Sequence, residues 1–355
     1  MSDVKFLSTL HKTKKSTISK VIIDKKIYVI KSYNLNEYDK VNYITNEINV
    51  LQSLNHPNII TYFSSLYSEP NIHIVIEYCS HGDLTDIIRV RKLTEDVILN
   101  KVTIPLLKSL EYIHSKGIIH RDIKPENIFV DSKGNLKLGD FDNSLNINKS
   151  YAVDVVGTLE FMSPEMIELS YKTPHEKSII KEHNISMYNE KVDVWALGIL
   201  IYELFYTKTP FICNHDNDVK ENILNMPIVF ANNNDISVEA ISFILTTLVR
   251  KKVNRPYIKD LFKHSWITGK NNIKSTVTRK TVSFPNLQKF NKEHTTQPHG
   301  ISDRLHYTSH VTYENVPSKY NSMLELPNKA NDSDEKIVPR YKKCFSFVKS
   351  KITPQ

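Results

Sequence analysis

Glycine is scarce in this 355-residue chain, eight in all, and the first is Gly82. No glycine-rich loop, in which bare backbone closes on a phosphate, therefore precedes Gly82. Cysteine is scarcer still: Cys79, Cys213 and Cys344 lie far apart and lack metal-ligand spacing. That excludes a cysteine-built metal site, and an odd, sparse set points to a reducing compartment, cytoplasmic or nuclear. Long apolar runs are missing as well. Residues 192–206 come nearest, but Asp193 and Glu203 interrupt them, and nothing reaches the ~20 apolar residues of a membrane span. The first ten residues also lack the basic and apolar blocks of a signal peptide, so no membrane association is expected.

What is present suits a globular chain. Hydrophobic residues make up 40% and charged residues 24%, enough for one large domain or two smaller ones with a buried core. The net charge of +8 is localised: residues 270–355 hold 15 Lys+Arg against 7 Asp+Glu, which leaves residues 1–269 neutral. That final stretch loses all periodicity and fills with Lys, Asn, Ser, Thr, His and Pro, the composition of a disordered tail. Its excess positive charge suits an acidic partner, whereas no nucleic-acid motif accompanies it, so nucleic acid is not an expected partner.

Periodicity divides the remainder. In residues 20–31, β-branched residues flank an Asp24-Lys25-Lys26 turn and predict a hairpin. Val41, Ile44, Ile48, Leu51 and Leu54 recur at helical spacing over residues 36–54, and residues 59–67 and 72–77 read as strands. Beyond Gly82 the pattern turns helical. Residues 95–114 predict a long helix capped at Gly117, with Pro105 inside it expected to kink it or cost a hydrogen bond. Short strands at 128–130 and 136–138 follow, then helical patterns over 192–266. The expected class is α+β, a small β-rich lobe followed by a larger helical one.

The densest chemistry is His120-Arg121-Asp122-Ile123-Lys124-Pro125-Glu126-Asn127, followed by Asp140-Phe141-Asp142 and Gly157-Thr158-Leu159-Glu160-Phe161-Met162-Ser163-Pro164-Glu165. An isolated Asp or Asn near a turn is usually a turn former. Together, in this order, and with Asp193-Val194-Trp195-Ala196-Leu197-Gly198 and Arg255-Pro256 downstream, the segments resemble eukaryotic-type protein kinases over residues 15–267. The resemblance implies a two-lobed fold: an N-terminal extension over 1–14, an N-lobe over 15–78, a C-lobe over 79–267 and the basic tail over 268–355. It also implies transfer of the γ-phosphate of ATP to Ser/Thr hydroxyls of protein substrates. Features similar to Aurora-type and NIMA-related kinases are mixed.

By that resemblance Asp122 accepts the substrate proton, Lys124 and Thr158 serve the γ-phosphate, and Asn127 and Asp140 hold Mg²⁺, or Mn²⁺ in its place. Lys31, in Val29-Ile30-Lys31, would hold the α- and β-phosphates in an ion pair with Glu47. Backbone groups of Glu77 and Cys79 would meet adenine between Val29 and Phe129, behind Ile76, with Asp83 on the ribose. Glu165–Arg255, Asp193, and the column Leu51–His120–Phe141 would be structural. Glu126 and Glu203 match positions that select basic residues near the acceptor, so a basophilic enzyme is expected.

Four departures qualify the resemblance. Residues 10–18 stand without glycine where the phosphate loop is expected, leaving Lys12, Lys14 or Lys15 to act as point charges. Asp142 replaces a glycine that usually takes unusual backbone angles. These two keep open the alternative of a pseudokinase acting as a binding scaffold. Residues 171–186 read as an inserted surface loop. Asp154, three residues before Gly157, stands where Aurora-type and related kinases carry a phosphorylated Ser/Thr, and is expected to supply the charge that Arg121 needs; the alternative is a solvated Asp154 with Ser144, Ser150 or Tyr151 as the regulated site.

Overall fold

The computed structural model describes residues 4–269 apart from 38–40, 214 and 231–235. β1 (Val4–Lys12), β2 (Ser16–Ile23), β3 (Lys26–Asn34), β4 (Tyr62–Ser68) and β5 (Asn71–Glu77) form an antiparallel sheet in the order β1-β2-β3-β5-β4. The turn between β2 and β3 needs only two residues, because Asp24 and Lys25 adopt φ of 48° and 67°, the left-handed pair whose twist matches a hairpin. Lys26 already belongs to β3.

The expected N-terminal extension is corrected here. Val4 pairs with Ile23 and Lys12 with Thr17, so most of residues 1–14 are the edge strand of the sheet. Hydrophobic alternation did not signal β1 because the strand is almost wholly exposed, Phe6 and Leu10 included; it is held by its ladder to β2, not by burial. α1 (Val41–Ser53) packs beside β4 and buries Ile44, Glu47, Val50 and Leu51. Residues 59–61 are not yet strand: Ile59 bridges to Leu138, and the Ile60 N–H donates to the Leu138 carbonyl, tying the small lobe to the large one.

In the helical lobe α2 (Leu84–Val90) leads to a long helix with a defect. α3 (Glu95–Val97) passes into a π turn at Ile98–Thr103 and then α4 (Ile104–Ser115). Pro105 explains the defect: it offers no N–H to the carbonyl four residues before it. The extra residue of the π turn resets the register so that Pro105 falls in the first turn of α4, where no donor is required. Gly117, at φ 71°, ends the helix as expected. β6 (Ile118–Ile119) pairs with β9 (Leu145–Asn146), and β7 (Ile128–Val130) with β8 (Leu136–Leu138).

α5 (Pro164–Ser170) is followed, within residues 171–186 that were expected to be a surface loop, by a helix, α6 (Pro174–Glu182). Thr173 accepts the Glu176 N–H while Glu176 accepts the Thr173 N–H, a capping box with Pro174 in the first turn. That Thr-Pro-His-Glu signal was in the sequence. α6 buries none of its residues, so no apolar stripe advertised it. α7 (Lys191–Tyr206) is the opposite, a helix buried nearly all round. Gly198 lies against Thr247 and Leu248 beside α9 (Val238–Thr247), where a Cβ would collide. α8 (Asp216–Asn225), α10 (Ile258–Leu261) and α11 (Ser265–Thr268) complete the lobe. Glu165 and Arg255 meet through two bonds of 2.8 and 2.9 Å, with Arg255 1% exposed. Among the described residues no helix is long and apolar enough to cross a membrane. The expected disordered tail, from residue 270 on, lies outside the described residues.

Candidate active site

Val29 and Lys31 alternate with Ile30 on β3, and the register sets Ile18 opposite Lys31 and Lys20 opposite Val29. Lys31 Nζ lies 2.9 Å from Glu47 Oε1 and 2.6 Å from Asp140 Oδ1. Burial alone would lower the Lys31 pKa, but Asp140 and Glu47 outweigh it and hold it well above the ordinary value. The other oxygen of Glu47 accepts from the Tyr33 hydroxyl at 2.7 Å, which fixes the carboxylate for Lys31. Tyr33 was not singled out in the sequence. Its place two residues past Lys31, on the same face of β3, is the signal that marks it.

A second network surrounds Asp122. Its Oδ1 accepts the Thr158 N–H at 3.0 Å and the Thr158 hydroxyl at 2.9 Å; its Oδ2 accepts from Asn127 Nδ2 and Lys124 Nζ, each at 3.0 Å. Lys124 Nζ also donates to Thr158 Oγ1 at 2.8 Å. Burial would depress the Lys124 pKa, yet Asp122 keeps it raised. Gly157, at φ 96°, lets the segment carrying Thr158 approach: any Cβ there would strike the Arg121 carbonyl. Beneath the loop, Asp193 accepts the backbone N–H groups of His120 (2.9 Å) and Arg121 (2.8 Å) and the His114 ring (2.8 Å). Arg121 takes the left-handed φ of 67° that this pinning demands.

The residues expected to hold a divalent cation fit one. Asn127 commits only its Nδ2 to Asp122, which leaves its carbonyl oxygen as a hard donor. Asp140, at φ 57°, is turned toward Lys31. Asp142 does not take a left-handed conformation; Asp140 does. Among the described residues, buried Asp142 Oδ1 has no hydrogen-bond partner, and burial together with the Asp140 charge raises the Asp142 pKa well above the ordinary value. Such an orphaned carboxylate oxygen beside Asp140 is what a cation would satisfy. Phe141 is fully buried against His120, ring centroids 4.8 Å apart, in the cluster that includes Leu51.

At the hinge, the Glu77 side chain is committed to Thr61 (2.9 and 3.0 Å) and Lys137 (3.0 Å). Cys79 is buried and its thiol is pushed up to about 12, which removes it as a nucleophile. Asp83 caps α2, accepting the Asp86 N–H at 3.0 Å, and burial raises it to about 6. Phe129 bridges to Asp83 and lies against Gly139. Lys20, which the sequence did not single out, spans from β2 to the Tyr78 hydroxyl at 2.8 Å.

The glycine-free loop is closed on itself. Thr13 Oγ1 accepts the N–H groups of Lys15 (3.2 Å) and Ser16 (3.0 Å), and the Thr13 N–H donates to the Ser16 carbonyl at 2.8 Å. Three amides of the turn are therefore already used. Asp154 also departs from expectation. It is exposed, and among the described residues no ion pair joins it to Arg121; Arg121 donates instead to the Asn143 carbonyl (2.6 Å) and the Tyr188 hydroxyl (2.7 Å).

The chain is 37% identical over 188 residues to the probable serine/threonine-protein kinase nek2 of Dictyostelium discoideum, covering 50% of this chain and 41% of that protein. It is 32% identical over 244 residues to an Aurora kinase of Candida albicans, covering 62% and 43%. It is 32% identical over 222 residues to the serine/threonine-protein kinase Aurora-1 of Arabidopsis thaliana, covering 62% and 69%. The chain thus spans about two fifths of the first two relatives. The protein kinase domain family matches residues 8–267, from within β1 to α11, and the chain belongs to that family.

Proposed function

We propose that the chain transfers the γ-phosphate of ATP to Ser or Thr hydroxyls of protein substrates. The observation that carries this reading is the formation of two side-chain networks, Lys31–Glu47–Asp140 and Asp122–Lys124–Thr158–Asn127, from the residues that the family's chemistry requires. A binding scaffold has no need of an acid–base group and a phosphate lysine held in register. In the proposed reaction the substrate hydroxyl oxygen bonds to the γ-phosphorus, the bond to the β-phosphate oxygen breaks, ADP leaves, and the hydroxyl proton passes to Asp122. Lys124 neutralises charge on the transferring group, Thr158 orients it, and Lys31 holds the α- and β-phosphates. Val29 and Phe129 enclose adenine, backbone groups of Glu77 and Cys79 bond it, and Asp83 receives the ribose. Asn127 and Asp140, with Asp142 beside them, would hold Mg²⁺ or Mn²⁺, whose charge offsets that of the phosphates.

Lys124 and Thr158 favour Ser/Thr over Tyr as acceptor. Glu126 and Glu203 would select basic residues near it, and the excess positive charge over residues 270–355 suits an acidic partner. The cytoplasm or nucleus is the proposed location. Purified protein given γ-labelled ATP and a degenerate peptide library, in Mg²⁺ and then Mn²⁺, should label Ser/Thr peptides containing upstream Arg or Lys. Labelling confined to tyrosine, or selection of proline or acidic residues, would contradict these assignments.

A further inference from the structure

The segment leading from α6 into α7 runs alongside the loop that carries Gly157. The Ala152 N–H donates to Ser186 Oγ at 3.2 Å, and the Met187 N–H donates to the Ala152 carbonyl at 2.9 Å. One residue further on, the Tyr188 hydroxyl donates to the Asp154 carbonyl at 2.7 Å and accepts from Arg121 Nη1 at 2.7 Å. From the far side Lys252 Nζ donates to the Met187 carbonyl at 2.6 Å, and Lys191 Nζ to the Lys252 carbonyl at 3.2 Å. The 186–188 segment is thus fastened to the body of the large lobe before it grips residues 152–154.

One hydroxyl joins three pieces of chain here: the loop of Arg121 and Asp122, residues 152–154, and the strap that enters α7. It does so out of water, since Tyr188 is 2% exposed and Arg121 8%. Hydrogen bonds at such a site are stronger than at a surface, and a guanidinium stripped of its acceptor there is costly. In kinases generally, a phosphate on the activation loop orders that loop by pairing with arginine. A phosphate brings up to two charges and three acceptor oxygens. A phenol brings no charge, but it accepts from Arg121 and donates to the loop backbone at once, with the ring already locked by packing. Asp154, the charged candidate in the sequence, contributes its carbonyl and not its carboxylate.

We propose that Tyr188 is a positioning residue that orders residues 152–158 against Arg121 in the unphosphorylated chain, in the place a loop phosphate would otherwise hold. Its effect on turnover rests on the reading of Asp122 given above; its effect on order does not.

The test uses the full chain, treated with phosphatase and shown by mass spectrometry to be unphosphorylated. Wild type and Tyr188→Phe are compared by amide hydrogen exchange and by kcat and KM with ATP and a generic basic protein. Tyr188→Phe should speed exchange at residues 152–158 at least tenfold and leave α7 protected. It should lower kcat about 10–100-fold, the range for losing one hydrogen bond to a charged group, while the KM for ATP stays within twofold. Should that variant not fold, Ser186→Ala, which removes the Ala152 acceptor, should shift exchange in the same direction by a smaller factor. Unchanged exchange at 152–158 overturns the proposal, and so does a wild type that phosphatase silences and loop phosphorylation restores. A wild type inactive in every phosphorylation state counts against the kinase reading alone, and the exchange data still decide the role of Tyr188.

Discussion

Asp83 shows how one side chain can carry two opposite pH dependences. Burial raises its pKa from the ordinary 3.8 to about 6, against the pull of the N–H groups it caps on α2. A carboxyl whose folded value lies above its unfolded value stabilises the fold most below the unfolded value, and that contribution is lost as pH rises through about 6. Ribose recognition by the proposed role runs the other way, because the ionised form is the stronger acceptor. The KM for ATP should therefore rise as pH falls through about 6 while this residue's share of stability grows. Asp83→Asn should flatten the KM profile. An inflection that survives the substitution would place the titrating group elsewhere. Residues of this kind were legible in the sequence because motif spacing names them. Lys20 and Tyr188 were not, since each acts through a partner more than 50 residues away, and Tyr33 was marked only by its place two residues past Lys31 on β3.

Among the elements, the hairpin of β1 and β2 stands without the glycines expected of a phosphate loop. With the amides of Lys15 and Ser16 spent on Thr13, and that of Thr13 on the Ser16 carbonyl, the turn has little bare backbone to offer a phosphate. The exposed ammonium groups of Lys12 and Lys14 remain, and their attraction is screened by salt in a way that close backbone bonds are not. Raising NaCl from about 50 to 500 mM, which shortens the Debye length severalfold, should raise the KM for ATP several-fold. The double variant Lys12→Gln/Lys14→Gln should raise KM at low salt and lose most of the salt dependence. A salt-independent KM would mean that the turn reopens and uses its amides after all. The absence of glycine before Gly82 made this legible, but the role of Thr13 was not, because side chain-to-backbone closure of a turn leaves no periodic trace. The same limit applies to β1, recognised neither by burial nor by alternation, and to α6, whose capping box was readable although its exposed faces were not. The π turn was half legible: Pro105 promised a defect, and the structure decided its kind.

For the whole molecule, the connection between the lobe core and the segment ending at Glu165 depends on a buried, two-pronged ion pair. Arg255 also donates to the carbonyls of Lys191, Val249 and Arg250 and lies 5.2 Å from the centre of the Trp195 ring. Arg255→Ala strands Glu165 in the interior and should cost about 3–5 kcal/mol, seen as a lower urea midpoint at unchanged slope. An unshifted midpoint would show that water or a neighbouring lysine replaces the pair. The central claim is that the Asp122 network performs phosphoryl transfer and that the chain does not merely bind nucleotide. The most direct test is Asp122→Asn, compared with wild type for nucleotide binding by calorimetry and for single-turnover transfer of labelled phosphate to a basic protein. The account predicts nucleotide affinity and circular dichroism like those of wild type, with transfer slowed about 10²–10⁴-fold. Transfer at the wild-type rate in Asp122→Asn, or nucleotide binding with no transfer in the wild type, would contradict it.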